Sequence, residues 1–240
     1  MLESNLLSPN SIPPKLILFD AAGTLFEVQG SVGEVYRNHA RRFGVEIEAT
    51  ALQAQFLTAF RAQPPLAFQQ FRSQAELQRL EYAWWRQLVR QVFAEFDFPR
   101  FDDFFADLYE HFRRAEAWRL FDEVVPTLQA LQARGIPLAV LSNFDSRLLD
   151  VLAGLALTPY FAGIHYSAQL GAAKPDSFAF HRVVQSYGLW PEEVWHVGDS
   201  LREDYEGATH AGLKAWWLDR AGAGSAARLS RLDQLFALLG

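Results

Sequence analysis

Residues 15–25 read Lys15-Leu16-Ile17-Leu18-Phe19-Asp20-Ala21-Ala22-Gly23-Thr24-Leu25. Four consecutive apolar side chains run into a carboxylate, and a glycine follows three residues later. An apolar run this short, closed by a turn signal, predicts a strand buried on both faces, as in a parallel sheet. Asp20 then stands at the carboxyl end of that strand. Similar runs recur at Ile136–Leu141, Val194–Val197 and Lys214–Leu218, with a weaker one at Ile164–Tyr166. Helical stretches separate them. Val125–Ala133 stops before Gly135, a good C-terminal signal. Arg147–Leu157 follows Asp145 and Ser146, both residue types that cap helix N-termini. Phe178–Tyr187 has Pro175 near its start and Gly188 after its end. This alternation predicts a doubly wound, Rossmann-like α/β parallel sheet.

Between the first strand and the rest of the sheet lies a stretch of another kind. From Val28 to Trp118 no strand-like run stands out. Leu77, Leu80, Trp84, Leu88 and Val92 share one face of a long helix. Twelve of the chain's twenty phenylalanines fall here, and eleven arginines nearly balance twelve acidic residues. The adjacent pairs Trp84-Trp85 and Phe104-Phe105 spread around their helices, so most rings are expected in the core, with one or two at a cleft. The expected division is a tail over 1–14, an α/β core over 15–27 and 119–240, and an all-helical insert over 28–118.

Composition narrows the chemistry. The chain of 240 residues is half apolar and about one-fifth charged, the balance of an ordinary globular protein. It contains no cysteine, which excludes disulfides, thiolate zinc sites and a cysteine nucleophile. Its net charge of −6 argues against a nucleic-acid footprint, which needs a basic face. The start of the chain, with Ser8-Pro9-Asn10 and Pro13-Pro14, does not read as a signal peptide. No apolar stretch reaches membrane-spanning length. A cytoplasmic protein that engages neither membrane nor nucleic acid is expected. Only Lys15, Lys174 and Lys214 are lysines, so a lysine-dependent mechanism has few candidates.

Polar groups follow the predicted strands. Asp20 closes the first, Ser142 and Asn143 the second, and Gly198-Asp199-Ser200 the run Val194–Val197, while Lys174-Pro175 opens the helix before that run. Open α/β sheets bind ligands beyond the carboxyl ends of their strands, so a parallel sheet would bring these groups together. Their chemistry suits phosphoryl transfer. Asp20 and Asp199 offer hard oxygens for Mg²⁺, Lys174 a compact cation for phosphate oxygens, and Ser142 a neutral donor. Gly23-Thr24 permits a sharp turn that leaves amides free for an anion. A carboxylate nucleophile can carry phosphate as an aspartyl phosphate.

Asp20-Ala21-Ala22-Gly23-Thr24-Leu25, Ser142-Asn143, Lys174-Pro175 and Gly198-Asp199-Ser200-Leu201-Arg202-Glu203-Asp204 resemble, in order, the four motifs of the haloacid dehalogenase superfamily. The insert resembles its helical C1 cap. Trp84-Trp85-Arg86-Gln87-Leu88-Val89 with Phe93 is similar to the branch called haloacid dehalogenase-like hydrolase domain-containing protein 3. The resemblance implies a hydrolase acting on a small phosphorylated compound with Mg²⁺. Asp20 would be nucleophile and metal ligand, and the Ala22 carbonyl another ligand. Ser142 and Lys174 would hold the phosphoryl group, and Asn143 would shape that site. Asp199 would bind the metal directly, with Asp204 beside it.

Position 22 departs from the pattern. Family phosphatases carry a second aspartate two residues after the nucleophile, which protonates the leaving group; here it is Ala22. General acid–base help is worth about 10²–10⁴-fold, so its absence should hurt alkyl phosphates more than acyl or aryl ones. A metal-independent 2-haloacid dehalogenase also lacks the second aspartate, but usually has Tyr there and Ser-Ser-Asn in the fourth motif. Phosphonoacetaldehyde hydrolase has Ala there but needs a cap lysine, and 28–118 contains none. A binding or scaffold module on the same fold is the non-catalytic alternative.

Other residues read more plainly. Ser200 is expected to cap the following helix, and Asp199 to cap as well as bind metal. His196 is expected to be buried and hydrogen-bonded, and the other five histidines lack metal-ligand spacing. Arg41-Arg42 and Arg113-Arg114 are expected on solvated faces or in ion pairs. Gly222-Ala223-Gly224 lacks the spaced third glycine of a nucleotide loop.

Overall fold

A computed structural model describes residues 13–222 and 228–239. Most of the expected tail, and the segment Ala223-Gly224, lie outside the described residues.

Strand β1 (Leu16–Phe19) is fully buried, and its side chains alternate between two cores. Ile17 and Phe19 enter the larger cluster, Leu16 and Leu18 the smaller. Burial on both faces is why the run is continuously apolar. On one side β1 pairs in parallel with β4 (Leu138–Ser142), which pairs with β5 (Gly163–Tyr166). On the other it pairs with β6 (Val194–Gly198), followed by β7 (Lys214–Leu218) and β8 (Arg228–Leu229). The parallel order is β5-β4-β1-β6-β7-β8. Helices α5 (Val124–Ala133) and α6 (Arg147–Gly154) feed the larger cluster. Helices α8 (Ser177–Ser186) and α9 (Gly207–His210) feed the smaller, so the sheet is covered on both faces. A short α7 (Ser167–Leu170) follows β5 directly. The doubly wound α/β architecture is as expected.

Four helices lie between β1 and α5 in the chain: α1 (Val32–Arg42), α2 (Ala49–Ala62), α3 (Gln74–Val92) and α4 (Phe101–His111). Ser31 and Glu34 form a capping box at the start of α1, and Ser73 caps α3. Leu77, Trp84, Leu88 and Val92 are buried along α3, while Leu80 is half-buried. The rings do pack as a core: Phe93 meets Phe98 and Phe104 edge-on, with centroids 5.4 and 5.0 Å apart. Chain entry and return are joined by an antiparallel ribbon of β2 (Phe26–Val28) and β3 (Trp118–Leu120). Neither three-residue strand is expected from sequence, because so short a segment shows no alternation. β8, with two residues, escapes for the same reason.

Two local expectations need correction. Ser146 flanks α6 without making a capping hydrogen bond; its hydroxyl donates instead to Glu81. Lys174-Pro175 does not open α8. That helix begins at Ser177, where the Asp176 carboxylate accepts from the Phe178 amide.

Candidate active site

The strand order changes direction at β1, with β4 drawn to one side and β6 to the other. Such a switch point opens a crevice beyond the strand ends. Asp20 leaves β1 there, its amide donating to the Val197 carbonyl at 2.9 Å. Asp199 leaves β6, and Ser142 and Asn143 lie at the end of β4.

Lys174 reaches this crevice from the loop before α8. Its ammonium is buried and donates to Asp20 Oδ1 at 2.7 Å and to Asp204 Oδ1 at 2.5 Å. Burial opposes the charge, but two carboxylates outweigh it and hold the lysine well above its usual pKa. Asn143 fixes the lysine's backbone from both sides: its carbonyl oxygen accepts from the Lys174 amide, and its amide donates to the Lys174 carbonyl, both at 2.8 Å. Asn143 also donates to Glu203 Oε2 at 3.1 Å. Ser142 is buried in the strand beside β1.

Asp204 is placed by an unusual turn. Leu201–Glu206 is π-helical, a wide coil often found at functional sites. Ser200 caps it, accepting from the Glu203 amide; Asp199 does not, contrary to expectation. The coil folds Asp204 back so that Oδ2 accepts from the Ser200 amide at 3.0 Å. A Cβ at Gly198 would overlap the Asp204 carboxylate, which is why a glycine closes β6. His196 is fully buried and bonds Asp204 Oδ1 at 2.9 Å through Nε2. Burial holds this imidazole below its usual pKa, as its structural role predicts. Burial alone would raise Asp204, yet Lys174 and His196 hold its carboxyl well below the usual range.

Asp20, Asp199 and Asp204 each offer a carboxylate oxygen within 4.8 Å of the other two. Desolvation, with the negative charges of Asp20 and Asp204, pushes the Asp199 carboxyl up to about 7. Three carboxylates against one ammonium leave excess negative charge, and the donors are hard oxygens, so the group fits Mg²⁺. Asp20 Oδ1 and Asp204 Oδ1 are already taken by Lys174 and His196. The Asp199 carboxylate and the second Asp20 oxygen are the open carboxylate donors, and the Ala22 carbonyl follows Asp20 by two residues. That carbonyl accepts no hydrogen bond among the described residues. Asp204, expected as a metal ligand, anchors Lys174 first and keeps one lone pair on Oδ2.

The Ala22 methyl packs against the larger apolar cluster. The turn that follows is only half legible in the sequence. Gly23 adopts a φ of +93°, and a Cβ there would overlap the Asp199 carboxylate. Arg220, not singled out from sequence, donates to the Gly23 and Thr24 carbonyls. A signal for it exists: it lies just past the end of β7, on the same sheet edge as the other polar groups. Glu203 lies inside the fourth motif, where sequence alone gives it no role.

A second buried polar cluster seats α3 and α4 on the core. Glu81 accepts from the Ser146 amide at 3.0 Å and from its hydroxyl at 2.5 Å. Arg147 forms a bidentate pair with Asp145 and donates to the Tyr109 carbonyl. Of the arginine pairs, Arg42 bonds Asp107 and Arg113 bonds Asp150 in surface ion pairs.

A parallel sheet with a helical insertion after its first strand, and an aspartate–lysine–aspartate cluster at its switch point, define a hydrolase-type α/β site. Residues 14–212 match the haloacid dehalogenase-like hydrolase family, and the chain belongs to it. It is 34% identical over 206 residues to haloacid dehalogenase-like hydrolase domain-containing protein 3 of Bos taurus, covering 84% of this chain and 80% of that protein. Among solved structures it resembles the putative HAD-hydrolase YfnB from Bacillus subtilis bound to magnesium. The TM-score is 0.72 at 21% identity, with 95% and 99% of the two chains covered. A 2-haloacid dehalogenase from Pseudomonas syringae gives a TM-score of 0.65 at 23% identity, with 94% and 98% covered. At these identities the two structures show the fold alone.

Proposed function

We propose that the protein is a cytoplasmic, Mg²⁺-dependent phosphatase that hydrolyses a small phosphorylated compound through an aspartyl phosphate on Asp20. The observation that carries this reading is the buried Lys174 ammonium shared by Asp20 and Asp204 at 2.7 and 2.5 Å, with Asp199 alongside. A cation beside a nucleophilic carboxylate meets the equatorial oxygens of a phosphoryl group. When bound, Mg²⁺ would neutralise phosphoryl charge between Asp20, Asp199 and the Ala22 carbonyl. In the chemical step, an Asp20 oxygen bonds to phosphorus as the leaving oxygen departs with its electron pair. Water then attacks phosphorus, its proton passes to solvent, and the Asp20 carboxylate is freed with inorganic phosphate. Lys174 holds the phosphoryl oxygens throughout, with Ser142 as a neutral donor and Asn143 fixing the lysine.

The segment 28–118 would cover the substrate, over a core of 15–27 and 119–240. The Bacillus subtilis protein of the same fold was solved bound to magnesium, which supports the metal assignment by analogy. A haloacid turned over without metal is a poorer fit, since its carboxylate would face three others with no divalent cation to offset them. The test is phosphate release from p-nitrophenyl phosphate and acetyl phosphate with and without Mg²⁺. Metal-stimulated release is expected. Chloride release from 2-chloropropionate without metal would overturn the assignment.

A further inference from the structure

The Arg220 guanidinium engages two stretches of chain distant from its own. Nε donates to the Gly23 carbonyl at 3.3 Å and Nη2 to the Thr24 carbonyl at 2.7 Å. Nη1 donates to Glu123 Oε1 at 2.5 Å, and that carboxylate is buried. The guanidinium also lies over the Phe121 ring, 3.5 Å from its centroid. Gly23 and Thr24 form the turn just after Asp20, whereas Phe121 and Glu123 belong to the return from the insert, immediately past β3. The clamp thus joins the end of β7, the nucleophile's turn and the root of the insert.

The turn it grips touches the metal carboxylate. Thr24 Oγ1 lies 3.5 Å from Asp199 Oδ1, and the bare Cα of Gly23 leaves just the room that carboxylate occupies. A shift of the turn would alter the Thr24 contact with Asp199 and carry the adjoining Ala22 carbonyl with it. The planar fork meets two carbonyls and a carboxylate from three different nitrogens, whereas an ammonium's donors radiate from a single atom. We infer that Arg220 is a positioning residue, holding the Gly23–Thr24 turn in register so that Asp199 and the Ala22 carbonyl can take a divalent cation. The inference rests on the metal assignment above. It predicts that cation affinity depends on a side chain that does not touch the cation.

The test is calorimetric titration of the full chain with Mg²⁺ alone, below the melting midpoint of every variant. Arg220→Met is expected to weaken Mg²⁺ binding about tenfold or more, the usual cost of losing a group that orients ligands. Arg220→Lys, which keeps the charge but not the fork, should recover only part of that loss. Glu123→Gln loosens one arm of the clamp but leaves both carbonyl contacts in place, so its loss of Mg²⁺ affinity should be smaller than that of either Arg220 variant. If Arg220→Met fails to fold, Arg220→Lys against Glu123→Gln decides the matter. Folded Arg220 variants that melt earlier but bind Mg²⁺ as wild type does would overturn the inference and leave the metal site standing. A wild-type chain that binds no Mg²⁺ would overturn the metal assignment and this inference with it.

Discussion

The indole nitrogen of Trp85, on α3, donates to the Asp145 carboxylate at 2.6 Å, and Asp145 lies two residues beyond Asn143. The insert is therefore tied to the loop that positions Lys174. Asp145→Asn strips the buried Arg147 of its counter-charge and should cost about 3–5 kcal/mol. Trp85→Phe removes one hydrogen bond to a carboxylate that Arg147 still holds, and should cost about 1.5–3 kcal/mol. Urea unfolding monitored by far-UV circular dichroism gives both values. Equal, negligible losses would contradict the tie.

Lys174 is the sole ammonium held between Asp20 and Asp204 among the described residues. Lys174→Met should lower phosphate release by at least about 10²-fold, as loss of a charge-stabilising donor does. Lys174→Arg should not restore it, because a planar fork does not fit a site built for a point charge. Steady-state kinetics on p-nitrophenyl phosphate is the measurement, and retention of more than a tenth of the rate would contradict the role.

Glu81 links stability to pH. Burial, opposed by hydrogen bonds from Ser146 and assisted by the charge of Asp145, pushes its carboxyl from 4.5 up to about 7. Between those values the folded chain keeps a proton that the unfolded chain releases. Stability contributed by this group is therefore full below about 4.5 and is lost as pH rises through about 7. The change is at most about 3 kcal/mol. Glu81→Gln removes the titrating group and should flatten the slope of the urea midpoint between about pH 5 and 7.5. A slope unchanged by the substitution would place the titration elsewhere.

Ala22 sets a leaving-group dependence. Its methyl faces apolar side chains and can donate no proton. Wild-type turnover should therefore favour acetyl and aryl phosphates over alkyl phosphates. Ala22→Asp should raise alkyl turnover selectively, by up to about 10²-fold. A series of phosphates of graded leaving-group acidity reads this out. An alkyl rate already equal to the aryl rate in wild type would show that another group supplies the proton.

Sequence revealed the sheet because its strands are buried on both faces and must be apolar throughout, as Leu16 to Phe19 are. It also marked Asp20, Asn143, Lys174 and Asp199, since each follows a strand or opens a turn on one edge. It did not reveal β2 and β3, which are held by pairing with each other rather than by any local pattern. Nor did it reveal Glu81 or Arg220, one charge among many on a helix and in a loop. Their importance comes from partners 65 residues away for Glu81 and 196 to 197 for Arg220. Asp204 was placed near the metal from its motif, but the π-coil that turns it onto Lys174 has no signature in residue type.

The position of β1 in the sheet also governs how the chain is made. Ile17 pairs with Leu138 and Leu16 with Val194, so the first strand among the described residues lies inside the sheet and gains neither of its two neighbours until the whole insert has been synthesised. Contacts between such distant segments form slowly. Meanwhile an apolar strand with two open edges is a hazard for self-association. The helices of the insert, whose contacts are more local, can organise first, and the hydrolytic edge assembles only once β6 has emerged. Truncation anywhere before Val194 would leave β1 with an unfilled edge and no Asp199.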